Sequence, residues 1–250
     1  MKKIHRFITE YQKTKDILKI TNLAFIHQIK DVLKMKIGEN CIIIGSDQKE
    51  IMSTIKNIQK QYIELEINKI EQNKKIKDQN IENKNVTLYM AILKKENFEL
   101  VVQKASEIGI TKIVPIITDR TVKTGLRYDR LEKIAREASE LSGRNSVTII
   151  DEIKSFKNAI QSDTNETKII FDITGSKIYL IDKETKTKKL KPKSISLYIG
   201  PEGGFTDQEL KLAKDLPAEV GNNFQIVSLG NLTLRAETAS IIASYLAIQS

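Results

Sequence analysis

Hydrophobic spacing changes character along this chain. Residues 1–70 hold short apolar runs, IHRFIT, HQIKDVLKM and CIIIG, and then the alternating YIELEI. In that last stretch Ile63, Leu65 and Ile67 are separated by Glu64 and Glu66, the period of two expected of a strand with one face in water. The pattern predicts a small, mostly β module over residues 1–72. NKIEQNKKIKDQNIENKN follows, polar and charged with few apolar side chains, and marks residues 73–84 as a linker.

From residue 86 continuous apolar runs alternate with helical stripes. VTLYMAIL predicts a strand, and NFELVVQKASEIG a helix with Phe98, Val101, Val102, Ala105 and Ile108 on one face, stopped by Gly109. KIVPIIT is the next strand, RYDRLEKIAREASELSG a helix ending at Gly143, and VTIID, KIIFDI, SISLYIG and FQIVSLG are further strands. A closing helix, ETASIIASYLAI, has an apolar face of Ala236, Ala239, Ile242, Ala243 and Leu246. Apolar strands separated by helices imply a parallel sheet covered on both faces, over residues 85–250.

A length of 250 residues with 40% hydrophobic content suffices for such a core. The single cysteine, Cys41, rules out an internal disulfide and reads as a buried thiol in a reducing compartment. With only His5 and His27 beside it, no zinc-ligand spacing exists, and no metal is expected. The basic start MKKIHRFITEYQK lacks the apolar region of a secretory signal, and no apolar stretch approaches the ~20 residues that span a bilayer. A cytoplasmic protein with no membrane partner is the expectation.

The formal net charge is +9, and residues 1–80 carry 16 Lys+Arg against 10 Asp+Glu, while the other 170 carry 25 against 22. A basic first module suits a polyanion, since neutralising phosphates releases counterions. Yet 34 of the 41 cations are lysines, and a lysine-rich surface also serves solvation alone, so charge leaves both readings open.

LYIGPEGGFTDQEL, residues 197–210, is the densest glycine stretch. SISLYI ends as a strand, GPEGG turns, and Thr206 with Glu209 forms a capping box that starts a helix at TDQE. The loop therefore belongs to the carboxyl edge of a parallel sheet, where α/β proteins bind ligands. Phe205 and Thr206 stand where a Walker loop needs Lys-Ser/Thr, and Gly200, Gly203 and Gly204 do not fit G-x-G-x-x-G. Glu202, in mid-loop, repels a phosphate, so a neutral or cationic ligand fits better, a plain structural turn being the other reading. FQIVSLG-NLTLR-AETASIIASYLAI repeats the strand, turn, helix grammar. Arg235 and Glu237 stand at its turn-to-helix junction, where an ordinary helix-terminus ion pair is the simplest explanation.

Taken together, IGPEGGFTDQE and SLGNLTLRAETA resemble the RsmE family of SPOUT-class methyltransferases, which methylate N3 of a uridine in 16S ribosomal RNA. Arg6-Phe7, His27 with VLKM and Gly38, QKASEIGITKIVPIITDR and SELSGRN follow in the expected order, so the resemblance covers nearly the whole chain. Two positions depart from it. Leu232 stands where a basic residue is common, and Lys34 stands where arginine is common, keeping charge but losing bidentate phosphate geometry.

The resemblance implies a PUA-like RNA-binding β-barrel over 1–72, then a SPOUT α/β domain over 85–250 with a C-terminal trefoil knot. Its cofactor is S-adenosylmethionine, whose sulfonium makes a nearby Glu202 tolerable. The implied cofactor-binding residues are Ile199, Gly200, Pro201, Glu202, Gly203, Gly204, Ser228, Leu229, Gly230 and Leu234, in a pocket completed by the second subunit of a homodimer. Arg235 is the expected stabiliser of negative charge on the uracil, with Glu237 as base or as the partner that orients Arg235. Arg6, His27, Lys34, Arg144 and Asn145 are the expected contacts to small-subunit RNA or the assembled subunit. Arg127, Arg130 and Glu137 equally suit the wet face of a helix, and His27 a satisfied core position. The rival functions are a SPOUT methyltransferase acting on another target, such as a ribose 2′-hydroxyl, and a non-catalytic RNA-binding assembly factor.

Overall fold

The computed structural model describes residues 4–71, 84–122, 124–177, 192–216 and 224–249. The expected linker at 73–84 lies outside the described residues except for Lys84. The chain gathers into two compact units, one from Met1–Asp78 with Ser139–Val147, the other from Gln79–Ala138 with Thr148–Ser250.

In the first unit β1 (His5–Ile8), β2 (Gln12–Thr14), β3 (Ile17–Ile20), β4 (Asn40–Ile44), β5 (Glu50–Ile58) and β6 (Ile63–Glu71) form one sheet in the order β1-β4-β5-β6-β3-β2. Only β1 and β4 pair parallel; the other pairings are antiparallel. Inward alternation on β5 (Ile51, Ser53, Ile55) and β6 (Ile63, Leu65) meets Phe7, Leu18, Ile20 and Ile43 in a dry core. The run HQIKDVLKM is helical as far as Val32: α1 (Leu23–His27), capped by Asn22 Oδ1 on the amides of Ala24 and Phe25, widens into a π-helical turn over Gln28–Val32. Phe25 meets Phe7 edge-on, ring centroids 5.1 Å apart, and anchors α1 on the sheet.

Ser139–Val147 joins this unit through polar ties. The Ile8 amide donates to Glu140 Oε1 at 2.8 Å, and Arg6 Nη2 donates to the carbonyl of Gly143 at 3.3 Å and to Asn145 Oδ1 at 2.8 Å. Sequence order assigns SELSGRN to the second domain; hydrogen bonding groups it with the first.

The second unit is built on a parallel sheet, as the strand pattern requires. β7 (Asn85–Ala91), β8 (Lys112–Ile117), β9 (Ile149–Ile150), β10 (Lys154–Ser155), β11 (Thr167–Lys177), β12 (Ser194–Ile199) and β13 (Phe224–Ser228) run in the order β10-β8-β7-β12-β11-β13, with β9 also on β8. Every described pairing in it is parallel. α2 (Lys95–Ile108) buries Phe98, Val101, Val102 and Ala105 of its predicted stripe, leaves Ile108 half-buried and stops at Gly109, φ +117°; α3 (Tyr128–Ser142) ends before Gly143 as expected. α4 (Phe156–Ser162), which the apolar spacing did not reveal, and α5 (Asp207–Lys214) enclose a core that includes Tyr89, Tyr198, Phe205 and Leu210. Tyr89 and Tyr198, directly opposite on adjacent strands, stack 4.3 Å apart. The Tyr198 hydroxyl donates to buried Asp163 at 2.9 Å.

α6 (Ala236–Gln249) differs from expectation. It packs on α2, β7 and β12 with Ala236, Glu237, Ser240, Ala243, Ser244, Ala247 and Ile248 buried, while Ile242 is 37% exposed. The helix is apolar nearly all round, so its period selects no unique face. Small residues let it approach its neighbours closely, which decided which side turned inward.

Candidate functional site

Three neighbouring strands, β12, β11 and β13, end at the same edge of the parallel sheet. Their following segments enclose a cavity of about 360 Å³, within the range of small-molecule sites.

The first wall is GPEGG. β12 ends at Ile199, and the Gly204 amide closes a turn on the Pro201 carbonyl at 2.9 Å. Gly204 sits at φ +69°, a region side chains disfavour. A Cβ on Gly200 would lie 3.2 Å from the Gly204 carbonyl carbon and the Phe205 amide, so the loop folds closely on itself and would have to give by a few tenths of an ångström to admit one. The expected capping box is present: Glu209 Nα donates to Thr206 Oγ1 at 3.3 Å and the Thr206 amide to Glu209 Oε2 at 2.8 Å.

That loop is clamped from the segment after β8. Arg120 Nη1 donates to the carbonyls of Gly203 and Phe205. The Asp119 amide donates to Glu209 Oε1 and Asp119 Oδ2 accepts from Thr206 Oγ1, both at 3.0 Å. Arg120 is therefore committed to this loop, although it is exposed at the cavity rim. Arg127 pairs with Asp129, and Arg130 grips Glu99 with two bonds of 2.6 and 2.8 Å, which hold the Glu99 carboxyl below its usual range.

The second wall is the SLGNLTL turn. Ser228 Oγ donates to the Gly230 carbonyl at 2.8 Å and accepts from its amide, fixing the strand exit. Ser228, Leu229, Leu232, Thr233, Leu234, Ala236 and Ala239 line the cavity; Gly230 does not. Arg235 is 85% exposed, 3.9 Å from the buried Glu237 carboxylate, and neither lines the cavity; their neighbours Leu234 and Ala236 do.

A third wall was not anticipated. β11 pairs with β13 up to Phe171↔Val227 and resumes at Ser176↔Val227, so Asp172–Gly175 leave the ladder. Phe171, Asp172, Ile173 and Thr174 all line the cavity. KIIFDI was recognisable as a strand, but that its end lies between β12 and β13 follows only from strand order.

The expected RNA contacts lie in the first unit, two of them exposed. His27 is 64% exposed at its side chain, its Nδ1 2.7 Å from Asp31 Oδ2, so it is no core histidine. Lys34 is exposed at φ +51°. Arg6 is anchored: its guanidinium makes two bonds to Glu50, 3.2 and 2.9 Å, besides those to Gly143 and Asn145. Burial pushes Arg144 down to about 10, leaving it charged at neutral pH. Among the described residues no group of three or more His, Cys, Asp or Glu is arranged to hold a metal, and no helix is long and apolar enough to cross a membrane.

Residues 80–248 match the family model described as RNA methyltransferase domain. The chain is 31% identical over 246 residues to ribosomal RNA small subunit methyltransferase E of Mesomycoplasma hyopneumoniae, covering 95% of this chain and 96% of that protein. It is 29% identical over 228 residues to the Rickettsia conorii protein of the same name, covering 87% and 84%. Among solved structures it superposes on the Neisseria gonorrhoeae enzyme of that name, bound to S-adenosylmethionine, with TM-score 0.78, 27% identity and coverage of 97% and 95%. Whole-length identity and a shared fold together place this chain in the ribosomal RNA small subunit methyltransferase E family of RNA methyltransferases.

Proposed function

We propose that the protein methylates N3 of a uridine in small-subunit ribosomal RNA, with S-adenosylmethionine held in the cavity at the ends of β12, β11 and β13. The observation that carries this reading is the convergence of GPEGG and SLGNLTL on one cavity whose walls are largely backbone and apolar side chains. That lining suits adenosine and a thioether-like chain, and offers no nest of cations for phosphate. The bound cofactor supplies an activated methyl on a positively charged sulfur.

The protein's own residues do the rest. The carbonyls and amides of Ile199–Gly204 and Ser228–Leu234 orient the ligand, and the Arg120 clamp keeps the first loop in place. Before N3 of uracil can take the methyl it must pass its proton to solvent water, and the negative charge left by that loss is shared with the uracil oxygens. Arg235, exposed beside the cavity lip, supplies a movable cation for that charge; Glu237, 3.9 Å away and buried, biases its orientation. The first unit serves RNA docking through His27, Lys34 and Arg144, with Arg6 holding Asn145 in place. An enzyme with this substrate works in the cytoplasm.

The finer architecture follows the family: the six-stranded sheet supports a PUA-like barrel and the β12-β11-β13 order supports a trefoil knot. A homodimer is supported by α6, which leaves Ile242 and Tyr245 exposed on the side away from its buried stripe.

Incubation with labelled S-adenosylmethionine and either naked 16S RNA or small subunits tests the proposal. Label incorporation with a reverse-transcription stop at one uridine is expected, since an N3 methyl blocks the pairing edge. Label on a ribose, or none with any RNA, overturns it. Arg235→Ala should lower single-turnover methyl transfer at least ~100-fold, the loss seen for a donor that stabilises transition-state charge.

A further inference from the structure

The excursion Asp172–Gly175 is a built feature. Val227 faces Phe171 before it and Ser176 after it, so four residues are expelled from the β11–β13 ladder at the cavity mouth. Such bulges re-aim side chains beside active sites. Here the strand returns only because residue 175 is glycine: a Cβ there would lie 2.5 Å from the Val227 nitrogen and 2.6 Å from the Ile226 carbonyl carbon. Asp172 Oδ1 accepts from the Thr174 amide at 2.9 Å and from Thr174 Oγ1 at 2.7 Å. Oδ2, the other oxygen, lies toward GPEGG, 3.9 Å from where a Cβ of Gly204 would stand.

The charges lining the cavity are Asp172, Glu202, Asp207 and Arg120. Arg120 is engaged by two loop carbonyls, and Glu202 and Asp207 are exposed. Asp172 alone of the three carboxylates is partly buried, so its field inside the cavity is the least screened by water. We infer that Asp172 is a specificity-determining residue whose carboxylate faces the cofactor's sulfonium and raises affinity for that charged sulfur relative to the neutral thioether left after methyl transfer. This rests on reading the cavity as the S-adenosylmethionine site. Weaker hold on the thioether favours product release.

Calorimetric titration of the full chain with S-adenosylmethionine, S-adenosylhomocysteine and methylthioadenosine tests it. Methylthioadenosine keeps the adenosine and thioether but lacks the amino-acid group. In Asp172→Asn, which preserves the acceptor for Thr174, S-adenosylmethionine affinity should fall about tenfold while the other two change less than about twofold. Asp172→Ser, whose hydroxyl also caps the Thr174 amide, should repeat the result if the amide disturbs the turn. Equal losses for all three ligands assign Asp172 to ribose or to loop structure and overturn the inference, as does an unchanged S-adenosylmethionine affinity. Wild-type protein that binds none of them overturns the cofactor reading and this inference with it.

Discussion

Single atoms decide much of the cavity. Gly175→Ala forces a methyl into the backbone of Ile226 and Val227. It should cost about 1–3 kcal/mol, the range for overpacking a filled space, measured by urea unfolding. Arg120→Ala removes two hydrogen bonds, to the carbonyls of Gly203 and Phe205, at about 1 kcal/mol each at most for exposed partners, and should weaken S-adenosylmethionine binding several-fold while the melting temperature falls by only a few degrees. Cys41 shows a residue whose behaviour follows from burial alone. With no exposed surface its thiol is pushed up to about 12 from an ordinary 9, because the thiolate would be desolvated. Its protonated form is fully favourable to folding below about pH 9, and that contribution is lost as pH climbs toward 12. A disulfide reagent at pH 8 should therefore leave the native thiol untouched and titrate one thiol per chain in denaturant.

Elements show where spacing was informative. Thr206 and Glu209 predicted the start of α5, and both halves of the capping box are in place. Thr206→Ala breaks that box and the bond to Asp119, and should cost about 0.5–2 kcal/mol by denaturant unfolding. α2 and α3 likewise begin and end where their stripes and glycines indicated. The exceptions share a cause. α6 is apolar on nearly every side, so periodicity had no contrast to report, and α4 is only seven residues long, too short for a stripe to stand out. β5 escaped because Glu50–Ile58 mixes serine, threonine and lysine among its isoleucines, and only pairing with β4 and β6 gives it an inward face.

At the scale of the whole molecule, charge and architecture separate. Arg6 and Lys34 looked alike in sequence, two cations in a basic module, yet one is locked to Glu50 and Asn145 and the other is exposed. Lys34→Ala should reduce the slope of log affinity for RNA against log salt by about one, as loss of one phosphate contact does. Arg6→Ala should leave that slope nearly unchanged and instead destabilise the first unit by about 2–4 kcal/mol, because Glu50 loses its partner. The sequence by itself determined the parallel sheet, the two glycine-bearing turns at its carboxyl edge, the capping box and the family, since each depends on local spacing or on motifs read in order. Only tertiary structure decided that β11 lies between β12 and β13, that its expelled Asp172 completes the cavity, that Arg120 serves the GPEGG loop and that Ser139–Val147 joins the first unit. Those outcomes depend on contacts between residues far apart in the chain, and local periodicity carries no information about which distant partner a strand or a guanidinium will meet.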